Sequence, residues 1–128
     1  MTPARILVVE DNRVVARDIQ RQVARIGHTV VGIAASGEQA VALAAATQPH
    51  LVLMDIHIEG SIDGIEAAQR LRARSRIGII YVTAYADEET VRRASVTEPL
   101  GYLIKPLNES ELRSAIDKAR NQPVAKDR

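Results

Sequence analysis

Leu51-Val52-Leu53-Met54-Asp55 is four apolar residues closed by one carboxylate. It reads as a short buried strand that delivers a single acid at its C-terminal end. Three more runs follow the same grammar: Ile6-Leu7-Val8-Val9 ends in Glu10-Asp11, Ile79-Ile80-Tyr81-Val82 ends in Thr83, and Tyr102-Leu103-Ile104 ends in Lys105-Pro106. If these strands lie parallel in one sheet, their polar ends converge on one edge, where open α/β sheets place their ligands.

Working outward from these runs, short β-branched segments alternate with longer stretches of helical period, the signature of βα units around a mainly parallel sheet. Five such units are expected, with strands near residues 5–10, 29–34, 51–54, 78–83 and 101–105. Helix starts are marked by Ser36 with Gln39, Asp63 with Glu66, and Asn108 with Glu111, each a capping side chain followed three residues later by an amide or carboxylate. Asp87-Glu88-Glu89 places negative charge at another helix N-terminus, where the macrodipole favours it. Either Asp11 or Asn12 is placed to cap the first helix. On that helix Val15, Ile19, Val23 and Ile26 share a buried face. Arg13, Arg17, Arg21 and Arg25 form a second stripe, read as a solvated face in preference to a docking surface for an acidic partner.

The chain of 128 residues is long enough for one core and too short for two. Hydrophobic residues make up 46%, yet Phe and Trp are absent and Tyr occurs three times, so Val, Ile, Leu and Ala must carry the packing. Seventeen basic against sixteen acidic side chains leave a net charge of +1, which gives no electrostatic case for nucleic acid or membrane binding. Cysteine is absent, which excludes disulfide and thiol chemistry. Residues 1–5 lack the form of a secretory signal and no apolar run has transmembrane length, so a cytoplasmic location is expected. A domain over residues 1–121 and a short polar tail over 122–128 complete the expected organisation.

Glu10, Asp11 and Asp55 would bring three carboxylates together, a costly arrangement unless a cation sits among them. Mg²⁺ is the natural candidate, being a hard ion that takes oxygen ligands and keeps waters that a phosphoryl oxygen can displace. With no Cys and only His57 nearby, a zinc-type site is not indicated. A carboxylate beside Mg²⁺, a hydroxyl and an ammonium is the apparatus for moving a phosphoryl group, where catalysis is positioning and charge neutralisation. In that reading Asp55 is the nucleophile, Thr83 donates a hydrogen bond to one phosphoryl oxygen, Lys105 neutralises another, and the metal bridges a third to Glu10 and Asp11. Each residue alone has an ordinary structural explanation as a cap, loop carboxylate, turn hydroxyl or surface ion pair. Four of them at strand ends together favour the chemical reading.

From about Arg5 to Arg120 the chain resembles the receiver domains of two-component response regulators. Ile6-Leu7-Val8-Val9-Glu10-Asp11 is similar to the acidic-pair strand of that family, Leu53-Met54-Asp55 to its phosphoacceptor, Val82-Thr83-Ala84 to its switch hydroxyl, and Lys105-Pro106 to its lysine and following proline. The resemblance implies a doubly wound, flavodoxin-like parallel sheet of strand order 2-1-3-4-5 with five flanking helices. It implies a signalling domain rather than an enzyme, in which Asp55 takes phosphate from a histidine of a sensor histidine kinase or histidine phosphotransfer protein. By the same resemblance the His57 carbonyl is a metal ligand, the Lys105-Pro106 peptide is cis, and Tyr102 is the switch aromatic that turns inward when the Thr83 hydroxyl moves to the phosphoryl group. In the resembled family the positions held here by His57 and Tyr85 flank the path of attacking water, which implies that these two residues tune phosphoryl lifetime, with slow hydrolysis expected. Homodimerisation or partner binding is expected through helix 4, strand 5 and helix 5. One departure lies in Ile56 to Gly64, which lacks a proline many members carry and brings its Asp-Gly pair one residue late.

A haloacid-dehalogenase-type phosphohydrolase also uses an aspartate nucleophile with Mg²⁺, a hydroxyl and a lysine. It needs a second aspartate two residues after the first, where this chain has His57. A receiver-like module that has lost phosphorylation would show a gap in the acidic pair, the aspartate or the lysine, and all are present.

Overall fold

In the computed structural model, which describes residues 2–122, the strands are β1 (Arg5–Val9), β2 (Thr29–Ala34), β3 (Leu51–Met54), β4 (Gly78–Thr83) and β5 (Gly101–Ile104). They alternate with helices α1 (Arg13–Ile26), α2 (Gly37–Thr47), α3 (Gly64–Arg74), α4 (Glu88–Ser95) and α5 (Glu109–Arg120). All four pairings are parallel and the order is β2-β1-β3-β4-β5, the doubly wound arrangement. Residues 123–128 of the expected tail lie outside the described residues.

Alternation along each strand sends successive side chains to opposite faces and so builds two aliphatic cores. Leu7, Val9, Val52, Met54 and Ile79 pack with Ala40 and Ala44 of α2, Ile65 and Leu71 of α3, and Ala94 of α4. On the opposite face Ile6, Val8, Leu53, Ile80 and Val82 pack with Ile19 and Val23 of α1 and Leu112 and Ile116 of α5. Val15 and Ile26 border that second core, so the apolar stripe of α1 faces inward, and the four arginines of its other stripe are exposed.

Every helix begins at a side-chain cap. Ser36, Asp63, Asp87 and Asn108 accept from the backbone N–H of Gln39, Glu66, Thr90 and Glu111, and at α1 it is Asn12 that accepts from Val14 and Val15. Gly27 closes α1 with φ 99°, a left-handed conformation in which a side chain is strained.

Two strands are one residue shorter than expected, β1 stopping at Val9 and β5 at Ile104. The ladder nevertheless reaches one bond further: Glu10 N donates to Ala34 O (2.9 Å) and Lys105 N donates to Thr83 O (2.9 Å). These site residues are thus anchored by the sheet through their N–H groups.

A buried polar network lies under the end of α4. The Arg72 guanidinium, on α3, donates to Thr97 O (2.5 Å) and Glu98 O (3.2 Å). Thr97 Oγ1 gives its proton to Ala94 O (2.7 Å), which leaves Tyr81 OH to donate to Thr97 Oγ1 (2.8 Å). Burial pushes the Tyr81 phenol up to about 12, so it remains a donor at any ordinary pH.

Candidate functional site

Parallel pairing in register puts the strand ends side by side. Val9 is opposite Met54 and Met54 opposite Tyr81, so Glu10 and Asp55 emerge at the same level, with Thr83 one residue further along β4. Thr83 in turn pairs with Ile104, which delivers Lys105. Asp55 N donates to Val9 O (3.0 Å), fixing the start of its loop to β1.

The result is one cluster. Ligand oxygens of Glu10, Asp11 and Asp55 all lie within 4.8 Å of one another. Glu10 and Asp55 are buried and Asp11 is half-buried. Lys105 Nζ spans the group, donating to Glu10 Oε1 (2.5 Å) and to Asp55 Oδ2 (2.9 Å). Glu10 Oε2 takes the N–H of Asn12 (3.1 Å), the residue that also caps α1.

Electrostatics follow from that crowding. Burial raises the Glu10 carboxyl above its ordinary value; the bonds from Lys105 and Asn12 offset part of this, and the Asp55 charge adds to it. For Lys105, burial works against the ammonium but is outweighed by the two carboxylates it bonds, so its pKa rises. Three carboxylates against one ammonium leave a formal charge of −2 when all are ionised. A divalent cation matches that residue of charge, and an all-oxygen donor set suits Mg²⁺. The side chains therefore fit such an ion, and this is the only group of its kind among the described residues.

Thr83 is fully buried, and its Oγ1 accepts from Tyr85 N at 3.3 Å. Tyr102 OH donates to Tyr85 O (2.7 Å), so the backbone of Tyr85 is held at both ends, by the hydroxyls of Thr83 and Tyr102. The exposed rings of His57 and Tyr85 meet with centroids 3.9 Å apart and planes tilted by 52°. The Lys105–Pro106 peptide is cis.

Three supports were not read from the sequence. Gly64 opens α3 directly behind the site: its N–H donates to Ile56 O (2.7 Å), and a Cβ there would sit 2.0 Å from Asp55 O. Asp63, besides capping α3, bonds Arg93 of α4 at 2.9 Å. Glu38 of α2 accepts from Ser61 N (3.1 Å) and from the Ser61 hydroxyl. The late Asp-Gly pair was the one visible sign of the first two, and Glu38 carried no sign at all.

The sequence profile described as the response regulator receiver domain matches residues 6–117. The chain belongs to the response regulator receiver family. The receiver is 34% identical over 117 residues to the transcriptional regulatory protein PdtaR of Mycobacterium tuberculosis, a match covering 91% of this chain and 57% of the relative. It therefore spans little more than half the length of such curated relatives. Among solved structures, the signal receiver domain of a modulated diguanylate cyclase from Desulfovibrio desulfuricans superposes with TM-score 0.87 at 37% identity, covering 92% of this chain and 94% of that one. The receiver domain of PhyR from Erythrobacter litoralis gives 0.85 at 30% identity, with 98% of each chain covered. Family membership makes this a domain of two-component signalling. No helix among the described residues is long and apolar enough to cross a membrane.

Proposed function

We propose that Asp55 accepts a phosphoryl group from a phosphohistidine of a sensor kinase or phosphotransfer protein in a Mg²⁺-dependent reaction, and that the domain then switches conformation to control a partner. The observation that carries this reading is Lys105 bridging Glu10 and Asp55 beside Asp11, a net-negative oxygen cluster with its ammonium already in place. In the reaction an Asp55 oxygen attacks phosphorus while the phosphorus–nitrogen bond breaks. The imidazole keeps that electron pair and then takes a proton. Lys105 turns from the carboxylates to a phosphoryl oxygen, and the Thr83 hydroxyl donates to a second. Glu10, Asp11, Asp55 and the His57 carbonyl would hold the cation, whose contribution is to neutralise charge on the carboxylates and on the phosphoryl oxygens.

Switching follows from the clamp on Tyr85. If Thr83 Oγ1 moves to the phosphoryl group it releases Tyr85 N, and the acceptor of the Tyr102 hydroxyl moves with it. Phosphorylation thereby biases two arrangements of the surface formed by α4, β5 and α5. Exposed Val91 of α4, Val96 just after that helix and Ile104 of β5 supply apolar area for a partner or a second copy. Residues 1–121 constitute the functional unit in this reading.

Incubation with acetyl phosphate and Mg²⁺, followed by intact-mass spectrometry, tests the chemistry. One phosphoryl adduct is expected, lost in Asp55→Asn and suppressed by chelation or by Asp11→Asn. No adduct, or an equal adduct in Asp55→Asn, removes the proposal.

A further inference from the structure

The loop between Asp55 and α3 is tied to an element that takes no part in the cluster. Ser36, just before α2, forms an isolated parallel bridge with Glu59. In the sheet β1 lies between β2 and β3, so this bridge joins chain leaving β2 to chain leaving β3 past the end of β1, where Glu10 and Asp11 emerge. Glu38 fastens it: one carboxylate oxygen, Oε2, accepts both the N–H and the hydroxyl of Ser61. The Ser61 hydroxyl, followed by the amides of Glu38 itself and Ser61, holds the Glu38 carboxyl below its ordinary value.

Gly60 makes the approach close enough. It adopts φ +102°, and a Cβ there would lie 2.5 Å from Glu38 Oε1. A hollow of about 520 Å³ lies between this loop, His57 to Asp63, and Asp11. The loop carries the His57 backbone, and ordering a free backbone costs conformational entropy at every residue. A loop already held in place before a cation arrives avoids part of that cost.

We propose that Glu38 is a positioning residue for the cation site: by holding Ser61 it keeps the His57 segment ordered opposite Asp11. This rests on the Mg²⁺ reading of the cluster. Glu38 is exposed and acts through hydrogen bonds, so its removal weakens Mg²⁺ binding by about three- to tenfold, below the 10–100-fold seen for outer partners at buried metal sites.

The experiment is calorimetric titration of the metal-free protein with MgCl₂, together with amide exchange over residues 57–62, in the parent, Glu38→Ala and Glu38→Gln. Glu38→Ala should bind Mg²⁺ more weakly and exchange faster in the loop. Glu38→Gln should stay near the parent, because its one carbonyl oxygen can accept both Ser61 bonds. Gly60→Ala, which pushes a methyl at the same carboxylate, should move both readouts in the direction of Glu38→Ala. Parent-like affinity in Glu38→Ala overturns this inference and leaves the site reading standing. Equal weakening in Glu38→Ala and Glu38→Gln assigns the effect to lost charge and overturns it as well. A parent that does not bind Mg²⁺ removes the site reading, and this inference with it.

Discussion

Replacing Gly64 by alanine should damage the site without touching any of its polar side chains. The added Cβ would lie 2.0 Å from Asp55 O and 2.9 Å from both Asp55 C and Ile56 Cα, all backbone atoms that cannot swing aside. Ordinary contact begins near 3.4 Å, so the start of α3 and the residue bearing the proposed phosphoacceptor carboxylate must separate by about 1.4 Å. That separation also stretches the 2.7 Å bond from Gly64 N to Ile56 O. Alanine in place of glycine returns up to about 1 kcal/mol through helix propensity. Overpacking strain costs about 1–3 kcal/mol or more, so the net is destabilising, and a melting point lower by about 4 °C per kcal/mol is expected for a domain of this size. The chemical effect should be larger, because a displacement of about 1 Å at a reacting group can cost on the order of 100-fold in rate. Gly27→Ala is the control. It sits at φ +99° with nothing within 4 Å of its Cβ, so it should lose about 1–2 kcal/mol to backbone strain alone and phosphorylate at the parent rate. Thermal melts and acetyl phosphate time courses by intact mass separate the two. A Gly64→Ala protein with parental melting point and rate would refute the steric argument.

Three further outcomes are expected. Autodephosphorylation should be slow and should quicken in Tyr85→Ala and in His57→Asn, a tenfold change corresponding to about 1.4 kcal/mol; because the two rings touch at 3.9 Å, the double variant should gain less than the product of the two, measured as decay of the phosphorylated mass. Lys105→Met should bind Mg²⁺ more tightly in calorimetry, since it removes the one positive charge in the cluster, while phosphotransfer from acetyl phosphate falls; weaker Mg²⁺ binding would contradict the charge argument. His28 Nδ1 accepts the N–H of buried Ala4 (2.9 Å) and so must be neutral, and burial, followed by the Arg120 charge, lowers its pKa against a smaller opposing pull from Asp117. A depressed histidine contributes stability that is full above its unfolded value of 6.5 and is lost as pH falls through the folded value, so urea midpoints should drop on acidification below pH 6.5 and drop less in His28→Asn.

What the sequence disclosed was the part of the molecule encoded locally. An apolar run closed by a polar residue specifies a buried strand and its exit, and a cap with its following amide or carboxylate specifies where a helix begins. Hence Leu51 to Asp55 and Ser36 to Gln39 could be read from neighbouring residues alone. Arg72 could not. It looks like any charged residue on an amphipathic helix, and only the fold reveals that its guanidinium ends on carbonyls 25 and 26 residues away. Glu38 meets Ser61 across 23 residues in the same way, and the close approach of Gly64 to Asp55 depends on the angle at which α3 leaves the sheet edge. Such contacts are chosen by tertiary geometry, which one-dimensional periodicity does not carry.

The lengths of two hydrogen bonds give the proposed switch a physical direction. Tyr85 N reaches Thr83 Oγ1 at 3.3 Å, at the long end for such a bond, whereas Tyr102 OH holds Tyr85 O at 2.7 Å. The weaker bond belongs to the hydroxyl that must leave, so giving it up for a charged phosphoryl oxygen costs less than the new charge-assisted bond returns. Because the stronger bond joins Tyr85 to Tyr102, a displaced Tyr85 draws on Tyr102 before that contact breaks. Tyr102 also lies 5.9 Å, centroid to centroid, from the ring of Tyr81. Tyr81 is fixed in turn by its hydroxyl to Thr97, whose carbonyl Arg72 holds. In the proposed switch Tyr102 would therefore turn against a ring that this hydrogen-bonded network holds in place.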